Sequence, residues 1–275
     1  MKNEKIKSMK LYNFIDRVYN ELKELGKENS GDLSIRELSS FDQLHYHGTD
    51  AIDYAIQKFQ INSNSKVLEI GSGIGGPSRY IADKTGAHVI ALELQKDHHD
   101  VGEQLTKRCK LDSKVEHICG DFLSYDFGNI NCDCIVSWLA LYHIPNRTKL
   151  LQKSLEILNS GGYFFAEDFA YHQPFNDHEL YELSTDFFAN YIVSYDNYFN
   201  DLTNAGFVKI ESEDMTKSWS DFTKMRFKSY TENIQRHKRV HNEEIVNNML
   251  DFYSFAMRYL DNGKLGGIKV SARKN

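Results

Sequence analysis

The pattern of apolar and polar residues changes twice along the chain, near residue 60 and near residue 170. Between these points, short apolar runs alternate with segments whose apolar residues recur every three or four positions. This alternation predicts strands and helices in turn, and hence a parallel sheet with helices on both faces. The predicted strands are 66–70, 88–93, 114–119, 132–137 and 162–167, and the predicted helices are 76–84, 97–109 and 146–158.

The segments on either side of this region are mainly helical by the same criterion. On the N-terminal side, apolar residues at helical spacing predict helices over 6–26 and 48–59. After residue 171, the pattern predicts two aromatic helices within 176–205, a strand at 207–213, a helical stretch over 219–260 and a last strand at 266–272. Because no linker or repeat separates these parts, we expect a single domain (1–275), made of an N-terminal helical cap (1–60), an α/β core (61–170), and lid helices with closing strands (171–275).

Composition and charge argue against several classes of protein. The formal net charge is −6 and the basic residues form no block, which argues against a nucleic-acid partner. No apolar run reaches the ~18 residues of a membrane helix, and the lysine-rich residues 1–10 lack the apolar segment of a secretory signal. The cysteines have no framework spacing, as expected of free thiols in a reducing compartment; they are Cys109, Cys119, Cys132 and Cys134. We therefore expect a cytoplasmic protein.

A glycine-rich turn follows the first predicted strand. The sequence V-L-E-I-G-S-G-I-G-G-P-S-R-Y (67–80) places four glycines within six residues, between an apolar run and the start of a helix. Glycine permits the positive φ of a sharp turn and leaves room for a ligand against the backbone. The N–H groups that begin the next helix point towards that ligand. Gly71, Gly73 and Gly76 also fit G-x-G-x-x-G, so a nicotinamide or flavin dinucleotide is one candidate ligand.

Glu69, two residues before Gly71, favours a different ligand. The loop reads E-x-G-x-G-x-G and resembles the first motif of class I S-adenosylmethionine-dependent methyltransferases, in which a carboxylate suits an ammonium group better than a pyrophosphate. Glu93, at the end of the second strand, can accept hydrogen bonds from ribose hydroxyls, which fits both ligands. Asp121 and Phe122, after the third strand, resemble the methyltransferase motif in which an acidic side chain bonds the adenine amino group and an apolar neighbour flanks the ring.

This resemblance is continuous over about 60–172 and implies a fold, a cofactor and a set of binding residues. The fold is a doubly wound, mostly parallel seven-stranded sheet that ends in an antiparallel strand pair. The cofactor is S-adenosylmethionine, with S-adenosylhomocysteine as product. The implied cofactor-binding residues are Gln43, His45, Glu69, Gly71, Ser72, Gly73, Gly75, Glu93, Leu94, Gln95, Asp121, Phe122, Trp138 and His143. No metal site is expected, since His45 and His47 lack a third ligand.

Candidate catalytic residues follow the fourth and fifth strands. Methyl transfer requires the lone pair of the acceptor to be held behind the methyl group, and an acceptor that carries a proton also requires a base. His143 can act as a base near neutral pH, and Asp168 is expected to face it across the acceptor site, holding its tautomer or binding the acceptor. Tyr46, at the rim of the same site, is the third candidate.

Two further segments resemble a narrower group of enzymes. D-Q-L-H-Y-H-G (42–48) and the C-terminal L-G-G-I-K-V-S-A-R-K (265–274) resemble a small-molecule branch that includes phosphoethanolamine and sarcosine/dimethylglycine N-methyltransferases. The resemblance implies that 42–48 folds over the cofactor and that the acceptor is the nitrogen of a small amine, beneath a lid formed by the aromatic segment 171–199. The chain departs from this branch at Leu139, where amine methyltransferases usually carry an acidic residue. The basic side chains that a phosphobase would need have candidates only within 224–239.

Other functions stay open at this point. An O-methyltransferase of a hydroxylated natural product or sugar would use His143 as its base. A nicotinamide-dependent reductase and a protein that binds S-adenosylmethionine without catalysis are more remote alternatives. The methyltransferase interpretation predicts a small-molecule acceptor as partner, without nucleic acid or membrane insertion, and a monomer or homodimer.

Overall fold

The computed structural model of this protein describes residues 15–28 and 30–275. One sheet contains β1 (Lys66–Ile70), β2 (His88–Glu93), β3 (Val115–Cys119), β4 (Cys132–Trp138), β5 (Leu158–Tyr171), β6 (Val193–Ser194), β7 (Val208–Asp214) and β8 (Leu265–Arg273). The order across the sheet is β3-β2-β1-β4-β5-β8-β7, with β6 paired to β5 beside this path. Neighbours among β1 to β5 are parallel, and β8 is antiparallel to β5 and β7.

The doubly wound, mostly parallel sheet with an antiparallel end is therefore confirmed. The described residues contain eight strands rather than the predicted seven, because the two-residue β6 is too short to carry a periodicity. Strand β5 is also longer than predicted, since its outer half pairs with β8 as far as Tyr171 and Leu265. The strand order reverses between β1 and β4, and ligands of such sheets bind outside the carboxyl ends of the strands at this point.

Helices surround the sheet and extend beyond its carboxyl edge. They are α1 (Ile15–Glu24), α2 (Ile35–Leu38), α3 (Thr49–Lys58), α4 (Gly76–Thr85), α5 (Lys96–Arg108), α6 (Arg147–Ile157), α7 (Asp177–Asp186), α8 (Tyr195–Ala205), α9 (Thr216–Glu232), α10 (Ile234–Val240) and α11 (Glu243–Asp261). The predicted helix 6–26 is seen as α1, and its residues before 15 lie outside the described part. In residues 15–28 and 30–275, no helix combines the length and the apolar character of a membrane span.

The predicted helical stretch 219–260 is three helices, α9 to α11. The break before α11 has a local cause: the Asn242 side chain accepts a hydrogen bond from the Ile245 N–H at 2.8 Å, which starts a new helix. Trp219 of α9 and Tyr259 of α11 belong to the same apolar cluster, whereas α10 buries none of its side chains.

Strand side chains alternate between two apolar layers. Leu68 and Ile70 of β1 join the layer beneath α6 and α8, whereas Val67 joins the layer beneath α3 and α4. Glu69 shares the face of Val67, so its carboxyl group is buried between the sheet and α4 at the carboxyl end of β1.

Beyond the carboxyl ends of β4 and β5 lies a group of aromatic side chains that we call the aromatic cluster: Tyr46, Tyr142, Phe169, Trp219 and Tyr259. Its position depends on the glycines that begin β8. A Cβ on Gly267 would lie 2.3 Å from the indole of Trp219, so only glycine lets α9 pack this closely on β8. The L-G-G-I sequence thus fixes the lid helices against the sheet.

Candidate active site

A cavity of about 370 Å³ opens at the carboxyl ends of β1 to β4. Its walls are the turns that follow these strands, together with Asp42, Leu44 and His45 from the segment between α2 and α3. The predicted site residues that line it are His45, Glu69, Gly71, Ser72, Gly73, Glu93, Leu94, Gln95, Asp121, Phe122, Trp138 and His143. Four predicted residues do not line it: Gln43, Tyr46, Gly75 and Asp168.

The glycine turn is shaped by close backbone approaches. Gly71 has a φ of +74°, and a Cβ there would lie 2.3 Å from the Cβ of Ala140, so the turn after β1 lies directly against the turn after β4. Gly76 is not in the left-handed region, but a Cβ on it would lie 2.4 Å from the carbonyl oxygen of Asp42. Gly76 therefore admits the segment 42–48, whereas Gly75 faces His117 and Arg79 behind the cavity.

Glu69 is a buried carboxyl group on the cavity wall. The hydroxyl of Ser78 donates a hydrogen bond to it. Burial raises its pKa to about 8, although Ser78 and Arg79 lower it. A carboxyl group in this state gains its charge when a cation binds beside it.

Glu93 ends β2 and organises the neighbouring turns. Its two carboxyl oxygens accept hydrogen bonds from the backbone N–H groups of Gly73 and Gln95, both at 2.8 Å. Burial raises its pKa to about 7, and these N–H groups lower it. On the other side of the cavity, Asp121 accepts a hydrogen bond from the Leu123 N–H at 2.9 Å, which fixes the turn after β3.

Three buried polar atoms on the cavity wall have no hydrogen-bond partner among the described residues. They are the Ser72 hydroxyl, the indole N–H of Trp138 and Nε2 of His143. Buried polar groups are normally paired, so these atoms indicate a polar ligand. The carboxyl groups of Glu69, Glu93 and Asp121 on the same wall match the ammonium, ribose and amino groups of S-adenosylmethionine in chemical type, and the residues present therefore fit this cofactor.

His143 lies in a single turn of 3₁₀-helix, 141–143, directly after β4. Its Nδ1 is 3.1 Å from the carbonyl oxygen of Phe188, so Nδ1 carries the proton and donates it. Burial lowers its pKa to about 4. At neutral pH the imidazole is therefore uncharged and Nε2 keeps its lone pair, as a general base requires.

Asp168 does not face His143 as the sequence interpretation expected. It is buried beside the Tyr198 hydroxyl, which donates a hydrogen bond to it at 3.1 Å. The Arg147 guanidinium stacks on the Tyr198 ring at 3.7 Å. Burial raises the pKa of Asp168 to about 7, and Arg147 lowers it. The carboxyl group therefore belongs to a buried polar group beneath the turn, and the tautomer of His143 is set by a backbone carbonyl instead.

Tyr46 and the predicted aromatic lid also lie differently from the expectation. Tyr46 stacks on Trp219 with a ring-centroid distance of 4.1 Å and packs inside the aromatic cluster. No aromatic residue of 171–199 lines the cavity; Phe187 and Tyr198 are buried in apolar packing, while Tyr181 is 68% exposed. The turn after β4 lines this part of the cavity instead, through residues 139–140 and 143–146.

The basic residues within 224–239 are largely neutralised. Lys224 pairs with Asp261, Lys228 with Glu232, Arg236 with Glu21 and Arg239 with Glu24. Among the residues that line the cavity, the structure shows Lys149 and three histidines as the basic groups. Within residues 15–28 and 30–275, no three His, Cys, Asp or Glu side chains are grouped as a metal site would require.

One buried pair was missed by the sequence interpretation. Arg79 donates from Nη2 to Oδ2 of Asp42 at 2.9 Å, and their side chains are 0% and 2% exposed. Both residues belong to motifs already recognised, in 67–80 and 42–48, but 37 positions separate them. Only their opposite charges could have suggested the pairing.

Comparison with known proteins identifies the family of this site. The family model described as a methyltransferase domain matches residues 67–162. The chain is 27% identical over 229 residues to the phosphoethanolamine N-methyltransferase of Plasmodium falciparum, covering 82% of this chain and 81% of that protein. It is 28% identical over 147 residues to a sterol 24-C-methyltransferase of Debaryomyces hansenii, covering 50% and 39% respectively.

A solved structure shows the same fold. It is phosphoethanolamine N-methyltransferase 2 of Haemonchus contortus in complex with phosphomonomethylethanolamine and S-adenosylhomocysteine, with a TM-score of 0.79 and 18% identity. The match covers 85% of this chain and 54% of that protein, so the chain spans about half its length. With the glycine turn, the acidic residues after β1 to β3 and the reversed strand order, these likenesses show that the chain is a class I methyltransferase that uses S-adenosylmethionine as its cofactor.

Proposed function

We propose that this enzyme methylates the nitrogen of a small amine, with His143 as the base. The observation that carries the proposal is Nε2 of His143, which is buried at the cavity wall, unprotonated and without a partner among the described residues. An amine is protonated in water at neutral pH and must lose a proton before its lone pair can attack a methyl group.

The cofactor contacts follow from the walls of the cavity. Bound S-adenosylmethionine supplies an electrophilic methyl group on a sulfonium centre. Glu69 is proposed to hold its ammonium group, Glu93 the ribose hydroxyls and Asp121 the adenine amino group. Ser72 and Trp138 offer polar atoms to the same ligand. With the cofactor bound by these contacts, the turn that carries His143 is the part of the wall that faces the acceptor.

Two observations favour nitrogen over carbon. The likeness to the phosphoethanolamine N-methyltransferase extends over 82% of the chain, whereas the likeness to the sterol enzyme covers half of it. The aromatic side chain of Trp138 lines the cavity at the end of β4, just before the turn that carries His143. Aromatic faces attract an ammonium group by cation–π interaction, so they can hold an amine where no carboxylate is present.

A second candidate is an O-methyltransferase of a hydroxylated natural product or sugar. It is favoured by Leu139, which lines the cavity at the place where amine methyltransferases usually carry an acidic residue. The ion pairs within 224–239 also argue against a phosphate site on those helices. A neutral histidine serves a hydroxyl acceptor as well as an amine.

The test is an S-adenosylhomocysteine-release assay on small amines, amino acids, phosphobases, phenols, sugars and sterols. Turnover on an amine supports the proposal, turnover only on hydroxyl acceptors establishes the second candidate, and turnover only on a sterol carbon overturns both. With the active acceptor, His143→Gln is expected to reduce turnover by roughly 10²–10⁴-fold while calorimetry still detects S-adenosylmethionine binding. His172→Gln, outside the cavity, is the matched control. Full turnover in His143→Gln would show that another group is the base.

A further inference from the structure

The ring of His143 and the turn that carries it are both held by the loop 187–192, which joins α7 to β6. Nδ1 of His143 lies 3.1 Å from the carbonyl oxygen of Phe188. The Tyr191 N–H donates to the carbonyl oxygen of Tyr142 at 3.1 Å. One loop after α7 therefore fixes the side chain of the proposed base and the backbone directly before it.

The backbone of Phe188 is strained. Its φ is +51°, in the left-handed region that is an outlier for a bulky side chain. The surrounding structure imposes this conformation, because the residues on both sides are anchored beside the aromatic cluster. Phe187 packs on Phe255 with ring centroids 4.7 Å apart, and Ala189 is buried. In this conformation the Phe188 carbonyl group points at His143.

Asn190 fixes the direction of the same carbonyl group. Its backbone N–H and its side-chain Nδ2 both donate to the carbonyl oxygen of Phe188, at 3.0 and 3.1 Å. Together with Nδ1 of His143, three donors converge on one oxygen atom. The carbonyl group cannot turn away from the ring without breaking these hydrogen bonds.

In the part of the chain that the structure describes, this is the single hydrogen bond of the His143 ring. Asp168, which the sequence interpretation placed beside the ring, accepts from Tyr198 instead. The position of the ring proton therefore depends on the loop. Without an acceptor at Nδ1, the proton can move to Nε2, and Nε2 then has no lone pair for the acceptor.

The hydrogen bond also makes His143 a better base. Burial lowers the pKa of His143 to about 4, and the Phe188 carbonyl acts against this by raising it. When the acceptor gives its proton to Nε2, the ring becomes an imidazolium. The hydrogen bond from Nδ1 to the carbonyl oxygen is then charge-assisted and stronger than before. An interaction that strengthens as the proton moves favours the transition state over the ground state.

We infer that Phe188 and Asn190 are positioning residues that set the tautomer of the base. The lid then serves the reaction by orienting His143, although no aromatic residue of 171–199 lines the cavity. The inference rests on the proposed role of His143 as the base. Since Glu69 and Glu93 belong to β1 and β2 and not to this loop, its loss is expected to change turnover and leave cofactor binding nearly unchanged.

Long-range ¹H–¹⁵N NMR of protein labelled with ¹⁵N-histidine reads the tautomer, and His143→Gln assigns the signals. The wild type is expected to carry the proton on Nδ1. Phe188→Val introduces a β-branched residue that disfavours positive φ, and is expected to move the proton to Nε2 in part of the molecules. Phe188→Asn removes the same ring but tolerates positive φ, so the proton is expected to stay on Nδ1.

Turnover and calorimetry give the second readout. With the active acceptor, Phe188→Val is expected to lower kcat by roughly tenfold or more, because much of the contribution of the base is lost, while S-adenosylmethionine binding changes little. Phe188→Asn is expected to recover most of this loss, and Asn190→Ala to give a smaller loss of kcat. Gln60→Val is the matched control, because Gln60 has a φ of +52° at an exposed position after α3.

A wild-type ring that carries its proton on Nε2 would overturn the inference, even if Phe188→Val fails to fold. Normal kcat in both Phe188→Val and Asn190→Ala would overturn it too, as would equal losses in Phe188→Val and Gln60→Val. A loss of S-adenosylmethionine binding that accounts for the lower turnover would show a merely structural role. Full turnover in His143→Gln would refute the base itself, and the NMR result distinguishes that failure from a loop that does not orient the ring.

Discussion

The buried pair of Asp42 and Arg79 gives the sharpest prediction for stability. Asp42 is 3% exposed and Arg79 is 0% exposed. Asp42→Ala leaves the guanidinium with the carbonyl oxygens of Ile74 and Gly102, at 2.7 and 3.2 Å, but without a counter-charge. Removing one partner of a buried ion pair costs about 3–5 kcal/mol, because the remaining charge is uncompensated. In a chain of this size this corresponds to a melting temperature lower by roughly 5–9 °C.

Thermal and urea unfolding of the purified protein, at fixed pH and without ligand, measure this effect. Asp53→Ala is the matched control, because Asp53 pairs with Lys84 at 2.6 Å on the surface, where such pairs contribute about 0–1 kcal/mol. The double variant Asp42→Ala/Arg79→Met removes both charges and is expected to recover part of the loss. The reasoning is refuted if Asp42→Ala is no worse than Asp53→Ala, or if the double variant is less stable than Asp42→Ala alone.

Two further predictions concern the cavity and the lid. The ligand 5′-methylthioadenosine has ribose hydroxyls but no amino-acid end. Its binding is expected to strengthen about tenfold from pH 6 to pH 8, because burial raises the pKa of Glu93 to about 7. The ribose hydroxyls donate hydrogen bonds more strongly to the ionised carboxylate than to the protonated group. Calorimetry should show this dependence in the wild type and not in Glu93→Gln, and an equal dependence in both would contradict it. Gly267→Ala places a methyl group 2.3 Å from Trp219 and is expected to lower the free energy of unfolding by about 1–3 kcal/mol. Urea unfolding followed by tryptophan fluorescence measures this loss, and an unchanged midpoint would contradict the close approach.

The strands and the glycine turn could be predicted because their signals are local. Val67, Leu68 and Ile70 are apolar side chains just before a glycine, and a buried strand followed by a turn is the structure that removes them from water. Strand β6 and the break at Asn242 were missed for a related reason. A strand of two residues is too short to show an alternation of apolar and polar side chains. A side-chain cap can end a helix without changing the spacing of apolar residues in the sequence.

The residues of the cavity wall could also be predicted, because their positions follow from the order of strands and helices along the chain. Glu69, Glu93 and Asp121 each stand at or just after the carboxyl end of a strand, and parallel strands bring these ends to one edge of the sheet. Their convergence on one cavity therefore follows from the alternation of strands and helices, without knowledge of distant contacts. His143 lines the cavity because it follows β4 in the same way.

The sequence by itself determined the sheet, the residues at the ends of its strands, and the cofactor. Each of these predictions depends on short stretches of chain. The tertiary structure decided which partner each buried polar group has. Asp168 bonds Tyr198 instead of orienting His143, Tyr46 packs on Trp219, and Asp42 finds Arg79 across 37 positions. A buried charge or hydroxyl must be satisfied by whatever the packing brings within about 3 Å, and packing depends on every element at once.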